Sequence, residues 1–231
     1  MKYSMRRPTV LFLCGAAIVC GLVASTVWVQ RYRYRPYLYE KLYLPTGKFV
    51  EQLSLGYREV VADVVWLSAV QYYGDFRKGN HDLKYFRGLI DITTTLDPHF
   101  SFAYRFGALV VSEDAGAFEE GIDILKQGMA HNPKSWELPF EIGFLNFVNR
   151  KDTRMAARYF ELASKMPGAP EYTERFAAFV YSKSGDTASS IRMWEEYMEH
   201  AENPYLKELA ERYIAKLKQT PIEEKATSDA W

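Results

Sequence analysis

Cysteine is nearly missing from this chain. Cys14 and Cys20 both lie in one apolar run, so residues 21–231 carry no thiol. That excludes disulfides, thiol nucleophiles and cysteine-based zinc sites from the folded part. Histidine is scarce as well: His81, His99, His131 and His200 stand near expected turns or helix ends, and no two share the four-residue spacing of a helical metal site. The chain also lacks a Gly-rich phosphate loop, a Gly-x-Ser-x-Gly elbow and a carboxylate pair with a reason for a shifted pKa. His81-Asp82 could open a metal-dependent phosphohydrolase site, but the companion His and Asp motifs are missing and a polar turn is the plainer reading. The expectation is a protein with no catalytic residues, metal, cofactor or small-molecule substrate.

Net charge is absent overall, with 29 Lys and Arg against 29 Asp and Glu, yet the charges are unevenly placed. Residues 1–48 hold eight bases and one acid, Glu40, leaving 21 bases against 28 acids in the rest. A basic end on an acidic body suits anionic lipid and argues against a nucleic-acid surface, which needs the positive field on the folded part.

Long apolar runs are lacking too, with one exception. After the short basic tail 1–8 comes Thr9 to Val29, 21 residues without a charge. At about 1.5 Å per residue such a helix spans roughly 31 Å, enough for a hydrocarbon core of about 30 Å. A retained transmembrane helix is expected, with cleavage at Val23-Ala24-Ser25 as the alternative, although the apolar run continues past that point. Arg31, Arg33, Arg35 and Lys41 nearly balance the bases before the run. The short basic start then favours the N-terminus inside and the body outside, a single pass in a bacterial inner membrane with a periplasmic body.

Residues 30–49 form a Tyr- and Arg-rich linker broken by Pro36 and Pro45. Trp28, Arg31, Tyr32, Arg33, Tyr34, Arg35 and Tyr37 suit the headgroup level, where an aromatic body meets apolar chains and its polar tip meets water. A docking strip for another membrane protein is the alternative, and single-stranded nucleic acid a distant third.

From Val50 to about Phe76, apolar residues recur at three- and four-residue steps and predict one long opening helix; a second runs from Leu83 to Leu96. Then a pattern is written twice: FAYRFGALVV and FEEGIDILKQGMAHNP, followed by WELPFEIGFLNFV and MAARYFELASKMP. A third, less regular copy is EYTERFAAFVYSK and ASSIRMWEEYMEHAENP. Pro98, Pro133, Pro167 and Pro204 close the units at steps of 35, 34 and 37 residues. Asn203 and Pro204 suit the N-cap and first turn of a final helix. There Leu206, Leu209, Ala210, Tyr213 and Leu217 face Lys207, Glu208, Glu211, Arg212 and Lys216, as a closing helix needs. The expected fold is all-α: a solenoid of helix-turn-helix repeats over 50–218, with a disordered tail at 219–231.

The units resemble the tetratricopeptide repeat family. Gly121, Leu125, Gly128 and Pro133 fall on the family's small, large, small and proline places, and Phe106-Gly107 and Ile142-Gly143 on its Leu-Gly. The third unit departs, with Ala177 for the glycine and Ser190 and Tyr197 at small positions. The resemblance implies a concave groove lined by the first helix of each unit, here Tyr104 and Ala108, then Phe140, Phe144 and Phe147, then Glu174, Ala178 and Tyr181. Aromatic anchors there suit a helical or extended peptide, with packing against a neighbouring helix as the alternative for each. The implied function is a membrane-anchored scaffold that binds protein partners in an envelope complex, with lipid met through residues 9–29. The alternative is an accessory subunit of a membrane enzyme or secretion machine that makes its contacts through the transmembrane helix.

Overall fold

The computed structural model describes residues 15, 17–28 and 44–219. The chain divides into two compact units, Met1–Tyr43 with Gly79–His81 and Leu44–Lys78 with Asp82–Trp231. In the first, residues 17–28 are helical with every residue exposed, among them Ile18, Leu22, Val23 and Trp28. Among the described residues no helix is long and apolar enough to cross a membrane. Only part of the expected span 9–29 falls within them. Of the expected interfacial set Trp28 is described, while Arg31, Tyr32, Arg33, Tyr34, Arg35 and Tyr37 lie outside, as do the basic tail 1–8 and residues 220–231.

The second unit, the body, is all-α among its described residues. Ten α-helices follow in order: α1 (Gly47–Leu53), α2 (Arg58–Arg77), α3 (Phe86–Leu96), α4 (Ser101–Glu113), α5 (Phe118–His131), α6 (Glu137–Leu145), α7 (Thr153–Ser164), α8 (Tyr172–Ser184), α9 (Thr187–His200) and α10 (Pro204–Gln219). Helices α2/α3, α4/α5, α6/α7 and α8/α9 pack as hairpins, each against the next, and α10 packs on α9.

The local chemistry explains the boundaries. Asp152 and Asp186 cap α7 and α9 by accepting from the amides of Met155 and Ser189, which satisfies donors that a helix start leaves free. Gly185, at φ +86°, ends α8 in the left-handed region that glycine enters without penalty. Helix α6 runs on into a π-helical turn, Asn146–Arg150, stopped by Lys151 at φ +58°. As expected, α10 starts at Pro204, and Asn203 Oδ1 accepts from the Tyr205 amide at 3.0 Å.

One expectation needs correction. The opening helix is not continuous from Val50 to Phe76 but breaks into α1 and α2, because Leu55 and Gly56 take φ of +49° and +92°. Periodicity hides this break, since residues on both sides of it keep helical spacing.

The repeat pattern does bring small residues to the close approaches. A Cβ on Gly128 would stand 2.8 Å from Tyr104 Cγ, and one on Gly143 would stand 2.9 Å from Phe160. Real Cβ atoms do not come that close, so a larger residue would push the hairpins apart. Asn132 of the closing Asn-Pro donates to the carbonyls of Pro98 (2.9 Å) and Gly128 (3.1 Å), tying the end of one unit to the end of the one before.

Candidate functional site

Helices α4, α6 and α8 repeat in burial with a step of 35 residues. The buried residues of α4 include Ala103, Gly107, Ala108, Val110 and Val111; Leu138, Ile142, Gly143, Leu145 and Asn146 follow on α6, and Thr173, Ala177, Ala178, Val180 and Tyr181 on α8. The less buried positions follow the same step. Leu109, Phe144 and Phe179 are equivalent, as are Phe102, Glu137 and Tyr172, and Phe106, Glu141 and Phe176.

This register separates the expected groove into two groups. Tyr104 (2% exposed), Ala108, Ala178 and Tyr181 are buried and hold the hairpins together. Phe144 (37%) is exposed, and Phe140 and Phe147 are half-buried. Glu174 is half-buried, its carboxylate 3.0 Å from His200 Nε2, and burial, the largest influence, pushes its pKa up. The correction has a definite cause. Aligning Gly107 with Gly143 implies a step of 36, and one residue of helix is about 100° of rotation. The two glycines also answer different neighbours, Ile90 for Gly107 and Phe160 for Gly143.

With the register set, an aromatic face emerges on the first helices. Phe140 meets Tyr172, Phe176 and Trp136 with ring centroids 5.7, 5.5 and 5.9 Å apart, and it rests on the buried Phe160 at 4.9 Å. Tyr172, Phe176 and Phe144 keep a third or more of their surface in water. Phe102 and Leu109 continue the apolar side on α4, where Phe102 lies 5.8 Å from Trp66. Between them, Arg105 Nη2 reaches Glu141 Oε1 at 3.1 Å and links α4 to α6. Edge-to-face pairs of this kind fix ring orientation, which leaves a firm surface with little entropy left to lose on contact. Phe102, Leu109, Tyr172 and Phe176 were absent from the expected set. Their signal was the phase of each helix's apolar stripe, which the glycine alignment had overridden.

A second feature is a polar cleft of about 570 Å³ between α7, α8 and α9, lined by Arg154, Arg158, Glu161, Tyr181, Asp186 and Arg192 among others. Glu161 accepts from Lys165 (2.6 Å), from Arg192 (2.8 Å) and from the Tyr181 hydroxyl. Burial alone would raise its pKa, but these donors outweigh it and hold the carboxyl down at about 2. Burial, and then the adjacent Glu161 carboxylate, push the Tyr181 hydroxyl up. The arrangement ties three helices together. Among the described residues no group of three or more His, Cys, Asp or Glu could hold a metal ion.

These observations define the class: a protein that is all-α among its described residues, whose body is a stack of helix hairpins with exposed aromatic side chains on α4, α6 and α8. No protein-family model and no curated protein matches the chain. Two solved crystal structures of MamA are similar to it. One has a TM-score of 0.45 at 15% identity over 68% of this chain and 89% of its own; the other scores 0.40 at 19% identity over 66% and 94%. Likeness of that size carries nothing about partners or activity.

Proposed function

We propose that this chain is a membrane-anchored scaffold of the tetratricopeptide type, which holds protein partners on its hairpin body and performs no chemistry itself. The observation that carries the reading is the face of Phe144, Tyr172 and Phe176, large rings exposed in water, of which Tyr172 and Phe176 pack edge to face on each other. Water-exposed aromatic anchors on a rigid repeat serve recognition, whereas a purely structural surface favours charge. Phe144→Ser and Phe176→Ser are expected to release the partners recovered by affinity purification of the full chain from native membranes, with helical circular dichroism checking that the fold survives loss of the Phe176 contacts to Phe140 and Phe160. Recovery of the same partners by the doubly substituted protein would sink this part of the proposal.

Anchoring rests on the uncharged run 9–29 together with the helix over 17–28, whose apolar residues Ile18, Val19, Leu22, Val23 and Val27 are exposed. The full chain is expected to stay with the membrane after alkaline carbonate washing; release into the wash would remove the anchor. Placement in a bacterial inner membrane, with the body on the periplasmic side, is read by a reporter fused after Trp231. The second reading, an accessory subunit held through its transmembrane segment, is favoured by the same exposed helix. It predicts that replacing residues 9–29 with an unrelated membrane helix, not altering the aromatic face, disperses the complex.

A further inference from the structure

The opening helix of the body carries an apolar stripe on its outer side. Ala62, Ala69 and Tyr72 of α2 are buried against the body, while Val60, Val64 and Leu67 on the opposite side are 59%, 60% and 59% exposed. Steps of four and three continue the line through Gln71 to Gly74, the spacing by which one helix packs along another.

Gly74 is the second observation. Among the described residues a Cβ there would meet nothing within 4 Å, so their packing does not require glycine. A glycine inside a 20-residue helix is nonetheless destabilising relative to alanine. Close approach from outside supplies the missing reason.

From these features we infer that α2 pairs with α2 of a second copy of the chain, antiparallel, across a two-fold axis near Leu67. In that register Val60 of one copy enters the space left by Gly74 of the other, Val64 lies over Gln71, and the two Leu67 side chains meet near the axis. Charge agrees with antiparallel pairing. Glu59 at the start of one helix lies on the same flank as Arg77 at the end; Arg77 pairs with Asp114 within the chain at 3.1 Å but keeps 61% of its side chain in water, so each copy can still set its acid against the other's base. A contact of this kind uses one patch twice and closes on itself, as two-fold interfaces do. Val70, on α2, and Tyr57, at its start, are also exposed and widen the apolar surface such a contact would cover. The inference goes beyond the scaffold reading and does not depend on the membrane anchor, since every residue it uses belongs to the body.

The test uses the full chain in detergent at about 50 μM, about fifty times a dissociation constant of ~1 μM. With Cys14→Ser and Cys20→Ser in place, Leu67→Cys gives a chain with a single thiol. Oxidation is expected to join two copies through it, whereas Glu208→Cys on α10 stays single. Sedimentation is expected to read two chains per particle for the unaltered protein and one for Leu67→Asp, with helical circular dichroism unchanged because Leu67 is exposed. Gly74→Leu, which fills the space opposite Val60, should give the same loss. Single-chain particles for the unaltered protein overturn the inference. So do two-chain particles that survive Leu67→Asp, which would place the contact elsewhere, for example in residues 9–29. Capture of lipid or of a different chain by a photoreactive group at position 67 in native membranes, with no copy-to-copy product, overturns it as well.

Discussion

The two ends of the repeat body are built from the same kind of helix and finished in opposite ways. At the C-terminal end, α10 buries Ala210 and Ile214, stacks Tyr213 on Trp194 at 5.1 Å, and shows solvent Lys207, Glu208, Glu211, Arg212 and Lys216. At the N-terminal end, α2 buries its inner side equally well but leaves Val60, Val64 and Leu67 in water. Every hairpin in a stack needs a neighbour, and the last needs a polar outer side to stop the series. Among the described residues that stop is supplied once, by α10. The difference teaches that one end is terminated, whereas the outer side of α2 has no cover among the described residues.

The largest expected effect lies at the finished end. Trp194 is 3% exposed and seats α10, so Trp194→Ala should cost about 3 to 5 kcal/mol, read as a lower urea midpoint, with α10 the first segment to lose amide protection in hydrogen exchange. If α10 kept its protection, the notion of a seated cap would fail. Next comes the Glu161 network, which braces α7 to α9 toward the same end. The folded pKa of Glu161 is about 2, below its ordinary 4.5, so its contribution is fully present above about pH 4.5 and fades as pH falls toward 2. The loss should be about 2 kcal/mol between those pH values, and Glu161→Gln should flatten that part of the stability profile. An unchanged slope in the variant would show that other carboxylates govern acid unfolding.

How these two ends could be read from sequence differs for a physical reason. The cap was legible because α10 alternates a clean apolar stripe with a charged one, and the small residues Gly121, Gly128 and Gly143 marked the hairpins because only near-absent side chains allow such approach. The uncovered face of α2 was not legible. Val60, Val61, Val64, Val65, Leu67 and Val70 all fit helical spacing, yet they divide between the inner and outer sides, and periodicity cannot say which side has a neighbour. The aromatic face was half legible for a related reason. Phe140, Phe144 and Phe147 were found, while Tyr104, Ala108, Ala178 and Tyr181 were placed one helical step from solvent by an alignment on glycines that pack against different partners. The break at Leu55 lies in backbone angles that leave no mark on side-chain spacing.

A smaller effect sharpens the comparison by its sign. Gly74→Ala should stabilise the single chain by up to about 1 kcal/mol, because alanine loses less backbone entropy and its methyl meets nothing in the body. If α2 has a companion, the same methyl intrudes on it, so association weakens while the isolated fold strengthens. Opposite signs in thermal unfolding and in sedimentation would locate the cost outside the chain. Equal signs would mean that Gly74 answers to nothing beyond its own helix.

The smallest effect belongs to the outer side of α10. Arg212 and Glu208 form an exposed pair at 3.4 Å, one helical turn apart, with well over half of each side chain in water. Such pairs are worth about 0.3 to 0.5 kcal/mol at most, since solvent screens the attraction and both side chains lose freedom to make it. Glu208→Ala should therefore move the urea midpoint barely beyond error and leave sedimentation unchanged. The matched substitution on α2, Val64→Ala, should be equally mild for folding yet measurable in association. If instead both ends responded alike in both measurements, their contrast would be one of composition alone, with no bearing on where this body meets another.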